Sequence, residues 1–464
     1  MTRYFLSFLI FLNLTGYAQD GSLDTSFNVG SGTDSNVYLL KQLSTGKILL
    51  GGQFVTYNGV AAEEILRLND DGSIDTSFSS GSGVNFMVND AVEDNGKVII
   101  VGEFSLYNGI MRNCIARLNN DGSVDTTFDP QNGVSNRILN ISKQGDKFII
   151  TGAFGLYNGH QAGNIARINA DGSFDDTFQS QGTDTGLQQV IAQHVMQPDG
   201  KIMIAGNFSS YNGTPVSRMA RLNADGTIDT TFNPMDSANT TILSVAMQPD
   251  GKYLISGLFG EYDSNYSPLI ARINADGSFD STFTAGSGYG IAATSLIVQP
   301  DYKILSGGFL TTFGGNGRYL LRLLPDGTID PDFDDSQGAD NIINEIFLQQ
   351  DSKILIGGWF NHFNDTEINR VARLNNEPVL ATVAFKSAYR LYPNPVIDQL
   401  HLESNQSDAL QDVKLLDMSG KELPVKMTHF AHHATIDMSS LQNGIYFLKS
   451  QTANGLFRQK IIKE

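Results

Sequence analysis

The chain has 464 residues, with 31 Lys/Arg against 49 Asp/Glu for a formal net charge of −18, and this length allows two or three domains or one large repeat domain with an appendage. Residues 381–464 carry nine Lys/Arg and eight Asp/Glu and Arg3 adds one positive charge, which leaves −20 for the stretch between; such a surface repels phosphate backbones and argues against nucleic acid as a partner. The single cysteine, Cys114, rules out an intrachain disulfide, and its place in Cys-Ile-Ala-Arg-Leu suits a small buried apolar residue.

The N-terminus reads as a targeting segment. Thr2-Arg3 precedes the apolar run Tyr4 to Leu14, and Thr-Gly-Tyr-Ala-Gln follows, which is the charged start, short core and small-residue exit of a secretory signal peptide. That core is shorter than the ~20 apolar residues needed to span a membrane. Cleavage after Ala18 is expected, with Gln19 as the mature N-terminus and residues 1–18 as the signal. No later stretch of the sequence is apolar enough for a span.

Next comes a repeat. Arg67-Leu-Asn-Asp-Asp-Gly-Ser-Ile-Asp-Thr-Ser-Phe78 returns from Arg117, Arg167, Arg221, Arg272 and Arg322, and the closing Phe27, Phe78, Phe128, Phe178, Phe232, Phe283 and Phe333 are 50–54 residues apart. A fixed period of this size implies a repeat architecture. Within one unit, Val37 to Leu43, Lys47 to Phe54, Glu64 to Asn69 and Ile74 to Phe78 read as four short strands separated by Ser-Thr-Gly, Tyr57-Asn-Gly59 and Asp70-Asp-Gly. Helical periodicity is absent, and the 47 glycines are too many for helices. Four strands repeated in tandem fit a propeller blade.

Seven Asp-x-x-Phe strands begin at Asp24, Asp75, Asp125, Asp175, Asp229, Asp280 and Asp330. Seven Arg-Leu/Ile strands begin at Arg67, Arg117, Arg167, Arg221, Arg272, Arg322 and Arg373. The two sets are out of phase at the ends, so an orphan fourth strand, Ser22 to Phe27, must pair with an orphan third strand, Val371 to Asn375. Residues 19–376 are therefore expected to form an all-β, seven-bladed β-propeller closed by pairing of its N- and C-terminal strands, with no open edge. Alternating strand direction puts the uniform Asp-Gly turns on one face. The varied connections, such as Val60 to Glu64, Ile110 to Asn113, Asp129 to Gly133 and Asp334 to Gly338, go to the other face, where recognition is expected.

The unit Arg-Leu-Asn-x-Asp-Gly-Ser-x-Asp-x-x-Phe, preceded by Gly-Lys-Ile-Leu-x-Gly-Gly-x-Phe, resembles the delta-60 repeat family of β-propellers over residues 20–376. The resemblance implies architecture and carries no shared activity.

Residues 377–390 read as a linker. From 391 to 464, Leu391 to Val396, Leu400-His-Leu402, Val413 to Gly420, Ile436 to Leu448 and Gln459 to Lys463 read as a small antiparallel β-sandwich. Tyr392-Pro393-Asn394-Pro395, Gly420-Lys421, Gly444 with Tyr446, and a final strand with Lys460 and Lys463 look like the type A sorting domain of the type IX secretion system. That resemblance implies the type IX machinery as partner and passage through the periplasm and across the outer membrane. It further implies removal of the tail, release or surface attachment, and a source of the Bacteroidetes type.

Candidate chemistry is sparse. Asn169-Ala-Asp-Gly-Ser-Phe-Asp175 has the oxygens of a Ca²⁺ loop but not the later bidentate Glu, and local turn bonding accounts for the same residues. Tyr57, Tyr107, Tyr157, Tyr211 and Tyr262 form either a ring of sugar-stacking aromatics or packing between blades; the pattern degrades at Thr312-Phe313 and Phe363. His429, His432 and His433 have no partnering acid or Cys set, and His160, His194 and His362 fall in different blades. No Gly-x-Ser-x-Gly elbow, His-Glu-x-x-His or phosphate-cradling loop occurs. Glu63 and Glu64 are adjacent and would point to opposite sides of a strand, whereas glycosidase chemistry needs two carboxylates meeting in a cleft. No catalytic or metal residue and no cofactor is therefore assigned, with Ca²⁺ as the alternative at the Asp-Gly turns. The expected function is a secreted or surface-attached binding or adhesion module for polysaccharide or protein. The alternatives are a polysaccharide hydrolase or lyase on the same scaffold and a structural component of a surface assembly.

Overall fold

The computed structural model describes residues 19–184, 189–284, 292–310, 318–333, 338–376, 389–392, 395–404, 411–416, 422–430, 433–452 and 455–463. Every element among them is a β-strand. The first blade shows the plan: strands Val37–Gln42, Ile48–Gly52 and Ile65–Leu68 pair antiparallel in that order. The same three-stranded sheet recurs six more times, ending with Ile343–Leu348, Ile354–Gly358 and Val371–Leu374. The middle strand reads as a continuous apolar run because it is buried on both sides, with one neighbouring blade against each face. Its closing glycine is required by space: a Cβ on Gly52 would lie 2.1 Å from the carbonyl oxygen of Asn36.

The blades form a ring in which each first strand packs against those on either side, and the first strand of blade 1 packs against blade 7. The seven sheets remain separate, so the ring closes through side-chain packing and through its chain ends. Leu23 bridges Leu374, Asp24 N donates to Arg373 O at 2.8 Å, and Asn375 N donates to Ser22 O at 2.8 Å. Leu355 and Val371 of blade 7 join the core of blade 1. Burying one such Leu or Val contributes about 1.5–3 kcal/mol, so the seam is held as the other interfaces are.

Two expectations need correcting. The fourth strand shrinks to a single bridge, Leu68 to Ile74. Asp75 ends it by accepting the Ser77 amide at 3.1 Å and the Ser77 hydroxyl at 2.6 Å, which turns the chain away from the sheet. The connection between second and third strands, read from sequence as a loop, holds a two-stranded ribbon, Thr56–Tyr57 with Val60–Ala61. Its tip does not stand up on one face. Tyr57 Oη donates to the carbonyl of Gly72, in the turn at the far end of the blade, at 2.7 Å, so the ribbon runs down the blade's outer edge.

A second unit has the two sheets of a small sandwich. Tyr389–Tyr392, Gln399–Ser404, His433–Asp437 and Met427–Phe430 form one; Gln411–Leu416, Gly444–Thr452 and Gly455–Lys463 form the other. Its core includes Val396, Leu400, Leu402, Leu415, Ile436, Leu448 and Ile461.

Candidate functional site

The uniform face is built for structure. In each blade the arginine near the end of the third strand is tied into its own blade and its neighbour. Arg117 Nε donates to Asp125 Oδ2 at 2.6 Å, and its Nη1 reaches the carbonyl of Ala170 in the next blade at 2.7 Å. Its guanidinium carbon lies 5.1 Å from the centroid of the Phe128 ring, a cation–π contact of about 0.5–2 kcal/mol. The repeated Arg, Asp and Phe are thus one interlocking unit.

The Asp-Gly turns are satisfied locally. Asp171 Oδ1 accepts the Ser173 amide at 2.9 Å and its hydroxyl at 2.7 Å, while Asn169 Nδ2 bonds Ser173 Oγ at 2.9 Å. Asp175 divides its oxygens between Thr177 on one side and Arg167 with Lys147 on the other. These are the oxygens a Ca²⁺ loop would use, and protein donors take them. Among the described residues no group of three or more His, Cys, Asp or Glu is placed to hold a metal ion.

The tyrosines are not a stacking ring. Tyr57, Tyr107, Tyr157, Tyr211 and Tyr262 are buried, and each hydroxyl donates to the carbonyl of a glycine fifteen residues on, in its own blade. Thr312 and Phe313 lie outside the described residues. Phe363 is buried in the same register.

Glu63 and Glu64 do not lie on a strand. Both adopt left-handed backbone, with φ of 44° and 65°, at the return of the connection. Burial pushes the Glu64 carboxyl up to about 7, with Glu63 and Asp34 adding to it. Cys114 occupies the equivalent place one blade on, also with positive φ, and its Sγ donates to Asn136 O.

The first strands surround an axial channel. Each carries a β-bulge after its first or second residue, for example between Val37 and Leu39 and between Ile138 and Asn140. The residue after the bulge is polar in six blades: Asp90, Asn140, Gln193, Ser244, Ser295 and Glu345. Asp90 Oδ2 accepts Ile141 N at 2.9 Å and Gln193 Oε1 accepts Val245 N at 2.7 Å, each from the following blade. Lys41 Nζ stands 3.2 Å from Asp90 Oδ1 and bonds Ala91 O. Burial pushes the Glu345 carboxyl up to about 8, with Asp90 raising it further and Lys41 opposing. Burial lowers the His194 imidazole to about 4, and Thr151 Oγ1 holds its Nδ1 at 2.7 Å.

At the channel mouth, away from the Asp-Gly turns, the residue that leaves each second strand lies across from the start of a first strand. Gln53, Glu103, Leu258 and Trp359 do so by donating to the carbonyls of Asn36, Met87, Thr241 and Ile342. Ala153, Asn207 and Phe309 do so by pairing with Arg137, Val190 and Ala292. The ring is two-sided. Blades 5, 6 and 7 supply Leu258, Phe309 and Trp359, and blades 1 and 2 supply Gln53 and Glu103. Glu103 pairs with Arg137 at 3.3 Å and Gln53 receives Tyr38 Oη at 3.3 Å.

Sequence reasoning missed this mouth and the polar belt beneath it. The signal was present, since both positions recur with the repeat, but it lay in residues that vary while their neighbours stay constant. All exposed large apolar residues among the described blade residues fall in the connections and passages between strands, Phe86, Met111, Leu258, Tyr266 and Trp359 among them, and none lies in an Asp-Gly turn.

In the second unit, Tyr392 Oη donates to Glu403 at 2.6 Å, Tyr446 Oη donates to Gln442 O at 2.7 Å, and Gly444 pairs with Lys463. Lys460 pairs with Phe447 through backbone, and Val396, next to Pro395, bridges Lys463. His433 bonds Thr435 at 2.9 Å and stacks on His401, and His429 sits on the neighbouring strand. Gln19 accepts the Ser22 hydroxyl at its carbonyl. Ala18, Pro393, Asn394, Gly420, Lys421, His432 and residues 334–337 lie outside the described residues.

A family model described as "Domain of unknown function (DUF5122) beta-propeller" matches seven times, at residues 43–78, 93–128, 144–178, 197–232, 248–283, 299–333 and 349–377. A second, "Secretion system C-terminal sorting domain", matches residues 390–464. No curated protein matches. Among solved structures, the chain is similar at 12% identity to a GH43_12 retrieved from a capybara gut metagenome, covering 80% of this chain and 87% of that one, TM-score 0.24. It is similar at 13% identity to dimeric latent PorU from Porphyromonas gingivalis, covering 88% and 36%, TM-score 0.13. A biofilm-associated protein BSP domain matches at 10% identity, covering 95% and 89%, TM-score 0.12.

Proposed function

The chain belongs to the DUF5122 β-propeller family and carries a type IX sorting domain that sends it to the cell surface or beyond, and from that premise we propose that it is a binding or adhesion module. In this reading a signal segment ends at Ala18, residues 19–376 form the functional part, and residues 391–464 serve export and are removed. Its ligand is a polysaccharide or a protein outside a cell of the Bacteroidetes type.

One observation supports this reading above the others. Among the described blade residues, the exposed large apolar side chains lie in the connections between the three main strands, on the outer ribbons and at the channel mouth, and none lies in an Asp-Gly turn; an exported protein that shows such residues to water is equipped to cover them with a ligand. The test is calorimetric titration of the purified protein with extracellular polysaccharides and surface protein fractions, repeated on Met111→Ala and Tyr266→Ala. Binding by the parent protein is expected, with loss of affinity in both variants placing the ligand on the outer ribbons and unchanged affinity placing it elsewhere; no binding by the parent would end the proposal.

A hydrolase reading has one observation in its favour. Glu64, held near pH 7 beside Glu63 and Asp34, has the proton affinity of a general acid. Turnover of a polysaccharide by the purified protein, abolished in Glu64→Gln, would replace the binding reading with this one.

A further inference from the structure

We propose that the mouth of the axial channel binds the end of a neutral oligosaccharide, with Leu258, Phe309 and Trp359 as its stacking wall. This rests on the reading that the connecting side is the ligand surface, and it narrows that surface to one place and one chemistry.

The wall comes first. Leu258 and Trp359 are 45% and 40% exposed, although both follow strands whose other residues are buried. Phe309 stands between them in the ring and is braced edge-on by Tyr319, at 5.7 Å between ring centroids. Three apolar side chains on successive blades give a broad surface that can take the C–H face of a sugar ring. The opposite arc, Gln53 with Tyr38 and Glu103 with Arg137, offers donors and acceptors to hydroxyls.

The charge pattern selects against ions. Arg137 is matched by Glu103 and Lys41 by Asp90, so mouth and belt are rich in dipoles and poor in uncompensated charge. Ser244, 1% exposed, has no partner for its hydroxyl, and Asn140 has none for its side-chain oxygen, which leaves acceptor capacity in the belt. Apolar walls with a few fixed polar groups are how proteins hold small neutral ligands.

The geometry also selects against a peptide. A peptide would enter by adding a strand along the free edge of a first strand. Every described first strand is bulged at that edge, and side chains at the bulges of neighbouring blades already occupy backbone groups of the first strands of blades 1, 3 and 5. Asn89 Nδ2 donates to Ile138 O at 2.9 Å, Asn344 Nδ2 to Val37 O at 3.0 Å, and Asp90 accepts Ile141 N. Bulged and occupied edges are closed to strand pairing.

Trp359 is the only tryptophan in the chain, so its fluorescence reports this site alone. The full-length protein would be titrated with cello-, xylo- and manno-oligosaccharides, following tryptophan emission and heat in parallel. The same series would be run on Leu258→Ala and Tyr266→Ala, with a neutral peptide of similar length as competitor. The expected result is an emission change that saturates with the heat, at least ten-fold weaker binding in Leu258→Ala, and affinity within two-fold of the parent in Tyr266→Ala. Heat without an emission change, lost in Tyr266→Ala, would move the ligand to the outer ribbons; that sinks this inference and keeps the binding reading. An emission change driven by the peptide and not by any sugar would overturn the ligand class. No response to any of the oligosaccharides would overturn it as well.

Discussion

Arg373 Nε and Asp24 Oδ2 lie 349 positions apart in the sequence and 2.7 Å apart in space. The same bond joins residues eight apart in the other six blades. In blade 7 it is made by the two ends of the ring, and Lys353 Nζ adds a second contact to Asp24 at 2.6 Å. The repeat unit has been cut between its third strand and its Asp-x-x-Phe segment, and the cut is sealed by the bonds that operate inside every other blade.

Asp24→Ala therefore leaves Nε of Arg373, a residue 3% exposed, without its buried carboxylate partner, while Nη1 keeps the more exposed Asp70 carboxylate at 2.8 Å. Removing one partner of a buried pair costs about 3–5 kcal/mol, and a comparable loss is expected in Asp175→Ala. The two variants separate by location. Hydrogen exchange should quicken at Asn375 in the first variant and stay slow there in the second, because only Asp24 holds a chain end. Equal exchange at Asn375 in both would show that the seam does not depend on this pair.

Acid should unfold the propeller through these aspartates. Burial alone would raise the Asp75 carboxyl, but hydrogen bonds from Ser77 and Arg67 outweigh it and hold it at about 2. Asp125, Asp175, Asp229 and Asp280 are held lower still, against the same burial, chiefly by a lysine and a threonine. A carboxyl with a depressed folded pKa gives stability that is fully present above its unfolded value, near 4, and lost as pH falls through the folded one. The aspartates' contribution should thus be constant above about pH 5, and melting temperature should fall steeply below pH 4. In Lys147→Met, which removes one of the donors to Asp175 and so raises its folded pKa, melting temperature should be lower at neutral pH, and the acid fall should be shallower and end at higher pH.

The pattern Arg-Leu-Asn-x-Asp-Gly, with its period, was enough to read seven blades and the closure, because bonds such as Arg117 to Asp125 are made by residues that recur in every blade. The stub fourth strand was not legible, since Ile74 to Phe78 has strand composition and only the Asp75 side chain, bonding two residues on, ends the pairing. The buried tyrosines were ambiguous for a related reason: Tyr57-Asn-Gly59 looks like a loop until the ribbon folds down the edge. The channel mouth was hidden because Leu258, Phe309 and Trp359 become neighbours only when blades 5, 6 and 7 stand side by side.

Glu345 should make the propeller less stable as pH rises. Its carboxyl is raised to about 8 by burial and by Asp90, with Lys41 opposing, and His194, neutral in this range, stands in the same charge field. Between about pH 4.3 and 8 the unfolded chain gives up this proton and the folded one keeps it, so stability declines with pH across that window and levels off above it. Glu345→Gln cannot ionise and should match the parent at pH 4. At pH 8 it should exceed the parent by on the order of 1 kcal/mol, a figure reduced for the part of the side chain that meets the channel. Denaturant unfolding at the two pH values checks this, and equal stability of the two proteins at pH 8 would refute it.

Cys114 should be silent to thiol reagents until the ring opens. It is 5% exposed, its Sγ donates to Asn136 O at 2.7 Å, and burial, then Glu103, pushes the thiol up to about 12. Reaction needs the thiolate, so at pH 8 the native protein should label more slowly than the unfolded chain by orders of magnitude. Because Asn136 belongs to blade 3 and Cys114 to blade 2, labelling requires those two blades to part. Rates measured in rising denaturant should then follow the global unfolding curve. Labelling well below that transition would show that blades 2 and 3 separate while the rest of the ring holds, and the interlock of Arg117 with Ala170 would be weaker than its geometry indicates.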